Sequence, residues 1–159
     1  MTTVPDTGFA LPMSMARHPS LAQAPYRSVL PQSLHVKRTA RYVVNVGAGT
    51  ATQACTVARA LFPTVLGRAV PAQTIHLVLT ALSELASIGA ARTRDDTLLC
   101  ELWKDEEHVF VSIEHDTHWS GAADTSGTTR WNKIKMIAED CGSHVTPAGY
   151  QIWAAIRIR

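Results

Sequence analysis

The stretch ALSELASIGAAR, residues 81–92, places one carboxylate, Glu84, in a run of apolar and small side chains. Val78, Leu82, Leu85 and Gly89 recur at helical spacing, which predicts a core-facing helix starting near Pro71, a favoured first-turn residue. Residues four apart on a helix are neighbours, so Glu84 and Ile88 share one face. That pairing of an acid with a bulky hydrocarbon is the feature from which the rest of the chain is read.

Upstream, ArgTyrValValAsnVal (41–46) has the branched and aromatic content of a strand. Gly47 and Gly49 end it. A helix follows over Thr52–Leu66, with Val57, Ala60, Leu61 and Val65 on one side and Gly67 as its stop. Downstream, ThrLeuLeuCysGluLeuTrp (97–103) and HisValPheValSerIleGlu (108–114) alternate with period two around LysAspGluGlu, which predicts a hairpin. A small-residue loop (116–127) leads to a third helix. Trp131, Ile134, Ala138 and Cys141 line its core side, and Gly142 closes it. The chain ends as strand, turn (146–149) and strand. This order predicts an α+β two-layer sandwich: a mixed, mostly antiparallel sheet covered on one face by three helices. Residues 1–36, with five prolines and no sustained period, read as a flexible N-terminal extension to a domain over 37–159.

The 159 residues, 46% hydrophobic and 18% charged, suit one soluble domain with a real core. Residues 1–38 carry Arg17, Arg27, Lys37 and Arg38 against Asp6, leaving the remainder with 11 basic and 12 acidic residues. A near-neutral domain without a basic stripe gives no footing for nucleic acid. Cys55, Cys100 and Cys141 lie in apolar patterns without CxxC spacing, as expected of reduced cytoplasmic thiols. No uncharged run has the roughly 20 apolar residues of a membrane span, and no signal peptide is legible.

The element order and several motifs resemble the anti-sigma-factor serine kinases of bacteria, within the GHKL (Bergerat-fold, histidine kinase-like) ATPase superfamily, especially the short actinobacterial forms. The likeness covers about residues 40–159. SerGluLeuAlaSerIleGly (83–89) falls without gaps on a family pattern like SerGluLeuValThrAsnAla. IleAlaGluAspCysGly (137–142) and ThrProAlaGlyTyrGlnIleTrp (146–153) resemble the closing segment. The resemblance implies that Glu84 stands at the general-base position. At the position of the asparagine that ligates magnesium stands Ile88, which has no oxygen for a hard cation. Asp116 comes one place late for the adenine aspartate, and Thr117 and His118 stand where glycines would leave room. The glycine motif at the start of helix three is ThrThrArgTrp (128–131), so Thr128 and Arg130 occupy positions where backbone amides would approach phosphate.

Each lost hydrogen bond or charge contact costs roughly 1.5–3 kcal/mol. Two or three together cost about 4–7 kcal/mol, or about a thousandfold to a hundred-thousandfold in affinity. The expectation is a degenerate site in which Glu84 is inactive and ATP with magnesium binds weakly or not at all.

Other constellations in the chain have plainer readings beside the functional ones. ValValAsnValGlyAlaGlyThr (43–50) lacks the third glycine and the later acid of a dinucleotide site, and reads as a strand-to-helix turn. His115, Asp116 and His118 have zinc-compatible chemistry without a completing ligand, so no metal is expected. Trp119 is either folded onto the core or offered to a partner. Arg130, Lys133 and Lys135 either form a solvated face or hold an anion. The functional expectation is a pseudokinase-like anti-sigma regulator that binds a sigma factor or an anti-sigma-factor antagonist, with a possible homodimer through the first strand. The alternatives are an active serine/threonine kinase and a sensor of another nucleotide.

Overall fold

The computed structural model describes residues 38–116 and 125–159. The proposed extension over 1–36 and most of the 116–127 loop, with His118 and Trp119, lie outside the described residues.

Strand β1 (Ala40–Asn45) turns into helix α1 (Thr50–Val65) around one hydroxyl. Thr50 Oγ1 accepts from the Gly47 amide at 2.7 Å and donates to the Asn45 carbonyl at 2.9 Å. A Cβ at Gly47 or Gly49 would meet nothing within 4 Å, so an ordinary turn needs neither glycine for clearance. The helix starts two residues earlier than expected, and its buried face is Thr50, Ala54, Ala58, Phe62 and Val65. Of the expected face only Val65 is buried, while Ala60 is exposed. The reason is close approach: Tyr42 of β1 donates its hydroxyl to the Ala54 carbonyl at 2.9 Å, which a small-residue stripe permits. Gly67, at φ 70°, then takes the left-handed conformation that ends the helix.

Helix α2 (Ala72–Arg92) follows Pro71 as expected, and Val78, Leu82, Leu85 and Gly89 are all buried. Gly89 marks its closest approach to the sheet: a Cβ there would lie 2.8 Å from Ile113 Cγ2 and 3.2 Å from Leu98 Cδ1. By length and composition, with a hydropathy of 1.4, α2 would pass for a membrane span, but half of that stretch is buried inside the fold. It is the central core helix.

The remaining strands are β2 (Thr97–Lys104), β3 (His108–His115), β4 (Asp140–Thr146) and β5 (Gly149–Arg157), in the order β1-β2-β3-β5-β4. Every hydrogen-bonded pair is antiparallel, which corrects the expected mixed sheet. β3 and β4 do run parallel, being separated by one helix, but β5 inserts between them and pairs antiparallel with both.

Helix α3 (Thr125–Ile137) is shorter than expected: Cys141 and Gly142 belong to β4, opposite Ala154 and Trp153. The Glu139 amide donates to the Ala155 carbonyl at 2.9 Å, so the chain joins the sheet directly after the helix. Trp131, Ile134, Ala138 and Cys141 nevertheless reach one core, three of them from the helix and its end and one from the strand. An apolar period that survives the boundary is what concealed it.

The core lies between α1–α3 and the sheet face carrying Val44, Leu98, Cys100, Leu102, Val109, Val111, Ile113, Ile152, Ala154 and Ile156. Because the contact atom is a methyl on the branched Cβ of Ile113 and cannot yield cheaply, Gly89→Val should destabilise the fold by about 1–3 kcal/mol. Urea unfolding should show a lower midpoint at an unchanged slope.

Candidate functional site

Glu84 lies midway along α2, and its side chain is only 12% exposed. An acid on the flank of a core helix needs a counter-charge or hydrogen-bond donors once water is withdrawn. α3 supplies both. Arg130 Nη1 donates to Glu84 Oε2 at 2.7 Å, and Lys133 Nζ donates to Oε1 at 3.2 Å. Arg130 and Lys133 are three apart on α3 and therefore share the side that faces α2. They are not the free solvated row that sequence allowed as one reading; the anion they hold is the chain's own Glu84. Lys135, by contrast, is exposed.

Each carboxylate oxygen thus faces a cation. The group works as a clasp between α2 and α3, and a substrate hydroxyl would have to displace an ion pair to reach it. Ile88, one turn on, is 1% exposed and belongs to the hydrophobic core. No oxygen is offered at that position, so these residues do not fit a magnesium ion bridging phosphates.

Asp116 is engaged locally. Its Oδ1 accepts from Thr93 Oγ1 and from the Arg94 amide, both at 2.9 Å, tying the end of β3 to the segment after α2. Thr128 is half-buried inside the first turns of α3, where the expected glycine-rich approach has become regular helix. His115 is buried and stacked on Tyr150 with ring centroids 6.1 Å apart. Among the described residues, no group of three or more His, Cys, Asp or Glu side chains is placed to hold a metal ion.

The structure therefore brings Glu84, Arg130 and Lys133 together, keeps Ile88 beside them in the core, and uses Asp116 in a separate loop tie. Sequence reading named every member of the clasp but did not pair them. The available signal was α2 itself, where Glu84 is the one acid in 21 residues and so calls for a partner on a neighbouring helix. A second polar tie also went unread: Gln151 Nε2 donates to Ser112 Oγ at 2.8 Å across β5 and β3, on the sheet face away from the helices. No protein-family model matches the chain, and no curated protein matches it in sequence.

Two outcomes follow from this geometry. Arg130 and Lys133 are 41% and 57% exposed, so water screens the clasp. A double-mutant cycle of Glu84→Gln with Arg130→Ala should give a coupling of about 0.5–1 kcal/mol that shrinks in 1 M salt. Burial raises all three thiols, Cys100 up to about 12 and Cys141 to about 11. At pH 8 almost no thiolate is then present at either position, so a disulfide reagent should label Cys100 last and reach all three quickly only in denaturant.

Proposed function

We propose that this chain is a regulatory protein-binding module of the anti-sigma type, working in the cytoplasm without ATP-dependent phosphorylation. The observation that carries this reading is the Glu84 clasp. The residue at the family's base position is held by Arg130 at 2.7 Å and Lys133 at 3.2 Å, next to a core Ile88 where a magnesium ligand would be needed. The same cations are the ones a phosphate would require, and their charge is already met in part by Glu84, which also counts against a nucleotide sensor. Helix α3 in regular form through Thr128 and Arg130 further supports weak or absent ATP binding.

The partner class, a sigma factor or an anti-sigma-factor antagonist, rests on the resemblance in element order and in the motifs at 83–89 and 137–153. A homodimer through β1 is part of the proposal. β1 is an edge strand and carries Val43 at 58% exposure, the kind of edge that pairs with another chain.

Calorimetry of the full-length chain against purified sigma factors and antagonist proteins from the same cell should give a Kd in the micromolar range or tighter for one of them. Binding to none removes the proposal. In parallel, 1 mM ATP with magnesium should shift the Tm by less than about 1 °C, since a ligand far below its Kd contributes little stability. A rise of several degrees would restore the kinase, and Ile88→Asn alone should not produce one.

A further inference from the structure

Helix α3 is held differently from its two neighbours. α1 buries Ala54, Ala58, Phe62 and Val65, and α2 buries Val78, Ala81, Leu82, Leu85, Ala86 and Ile88. Among the described residues of α3, Ile134 is the one fully buried apolar side chain, while Trp131, Ile137 and the following Ala138 are partly buried. Asn132, Lys133 and Lys135 are exposed, and Met136 is 85% exposed.

The local sequence adds little helical stability. Thr125, Ser126, Gly127, Thr128 and Thr129 form the first turns, and branched residues, serine and glycine are weak helix formers. A helix of 13 residues is marginal in water even with good formers, so α3 depends on what it docks against.

Two sets of ties are placed differently along it. At the C-terminal end the Ala138 amide donates to the Ile134 carbonyl at 2.8 Å, and the Glu139 amide donates to the Ala155 carbonyl at 2.9 Å. The Glu139 carboxylate also meets His108 Nε2 at 2.9 Å and Arg157 Nη1 at 3.5 Å. The chain leaving the helix is therefore fixed to β3 and β5. Roughly one and two turns earlier stand Lys133 and Arg130, which hold Glu84 of α2 through a partly exposed ion pair.

We propose that α3 opens as a unit, pivoting at Ala138–Glu139 while the sheet, α1 and α2 stay folded, and that the Glu84 clasp is the latch restraining it. Elements with few buried apolar contacts open locally at a lower free energy than the fold as a whole. Opening lifts Ile134 out of the core and separates Glu84 from Arg130 and Lys133, so this motion governs access to the one acid of α2. The inference needs no partner and no nucleotide, and it fails or stands separately from the proposed function.

Amide hydrogen exchange of the full-length chain, read by NMR in water and in sub-denaturing urea, tests it. Protection factors for residues 131–138 should lie at least about tenfold below those of α2 residues 79–88 and change little with urea, since a local opening exposes little surface. Glu84→Gln should lower α3 protection about two- to fivefold, the fold-change of a screened ion pair. Val44 is buried on β1, at the sheet edge away from α3. Val44→Ala should lower α2 protection about fivefold or more and leave α3 protection unchanged, because the opened state keeps that part of the core. Equal protection of α3 and α2 at every urea concentration would mean that α3 leaves only when the whole domain unfolds. Unchanged α3 protection in Glu84→Gln would remove the latch. Either result overturns the inference.

Discussion

The constraint on which the helix layer depends is the seating of α2 on the sheet. Where Gly89 passes Ile113 and Leu98 there is no room for a methyl group, and this contact sets the height of the helix layer. Val78, Leu82, Leu85 and Ile88 are then carried into the core, and α1 and α3 pack on either flank of α2. A helix buried this deeply has little tolerance for charge, so Glu84, on its flank, must be answered from outside α2. The position of α3 and the chemistry of Arg130 and Lys133 follow from that demand.

The same clasp governs the functional reading. In a phosphotransferase of the resembling type, the acid has to be free to take a proton and the residue one turn on has to offer an oxygen to a cation. In this chain the acid bridges two helices and the following turn is hydrocarbon. An ion pair with partly exposed partners stabilises the fold only modestly. Its larger effect is on availability, because any ligand entering there must first separate the carboxylate from its cations. Under the proposed function, the acid that would serve as a base serves instead as a helix-to-helix tie.

The sheet's two faces divide the labour differently. One holds the aliphatic core against the helices. The other carries aromatics, a Gln151–Ser112 hydrogen bond and the half-buried Glu101, whose carboxyl is pushed above its ordinary range by desolvation.

Periodicity alone determined the elements that are long and one-sided: α2 from Val78, Leu82, Leu85 and Gly89, the β2–β3 hairpin from strict alternation, and the stop at Gly67. It misjudged places where two structures share a pattern. The apolar spacing through Trp131, Ile134, Ala138 and Cys141 runs on past the end of α3 into β4, and on α1 the larger Val57 and Leu61 drew attention from the Ala54–Ala58 stripe that is buried. The wholly antiparallel sheet and the pairing of Glu84 with residues 46 and 49 positions away were decided only in three dimensions. Local spacing fixes which side of an element is apolar, whereas the neighbour met by that side, and the counter-charge met by a lone acid, depend on how distant segments close around a common core.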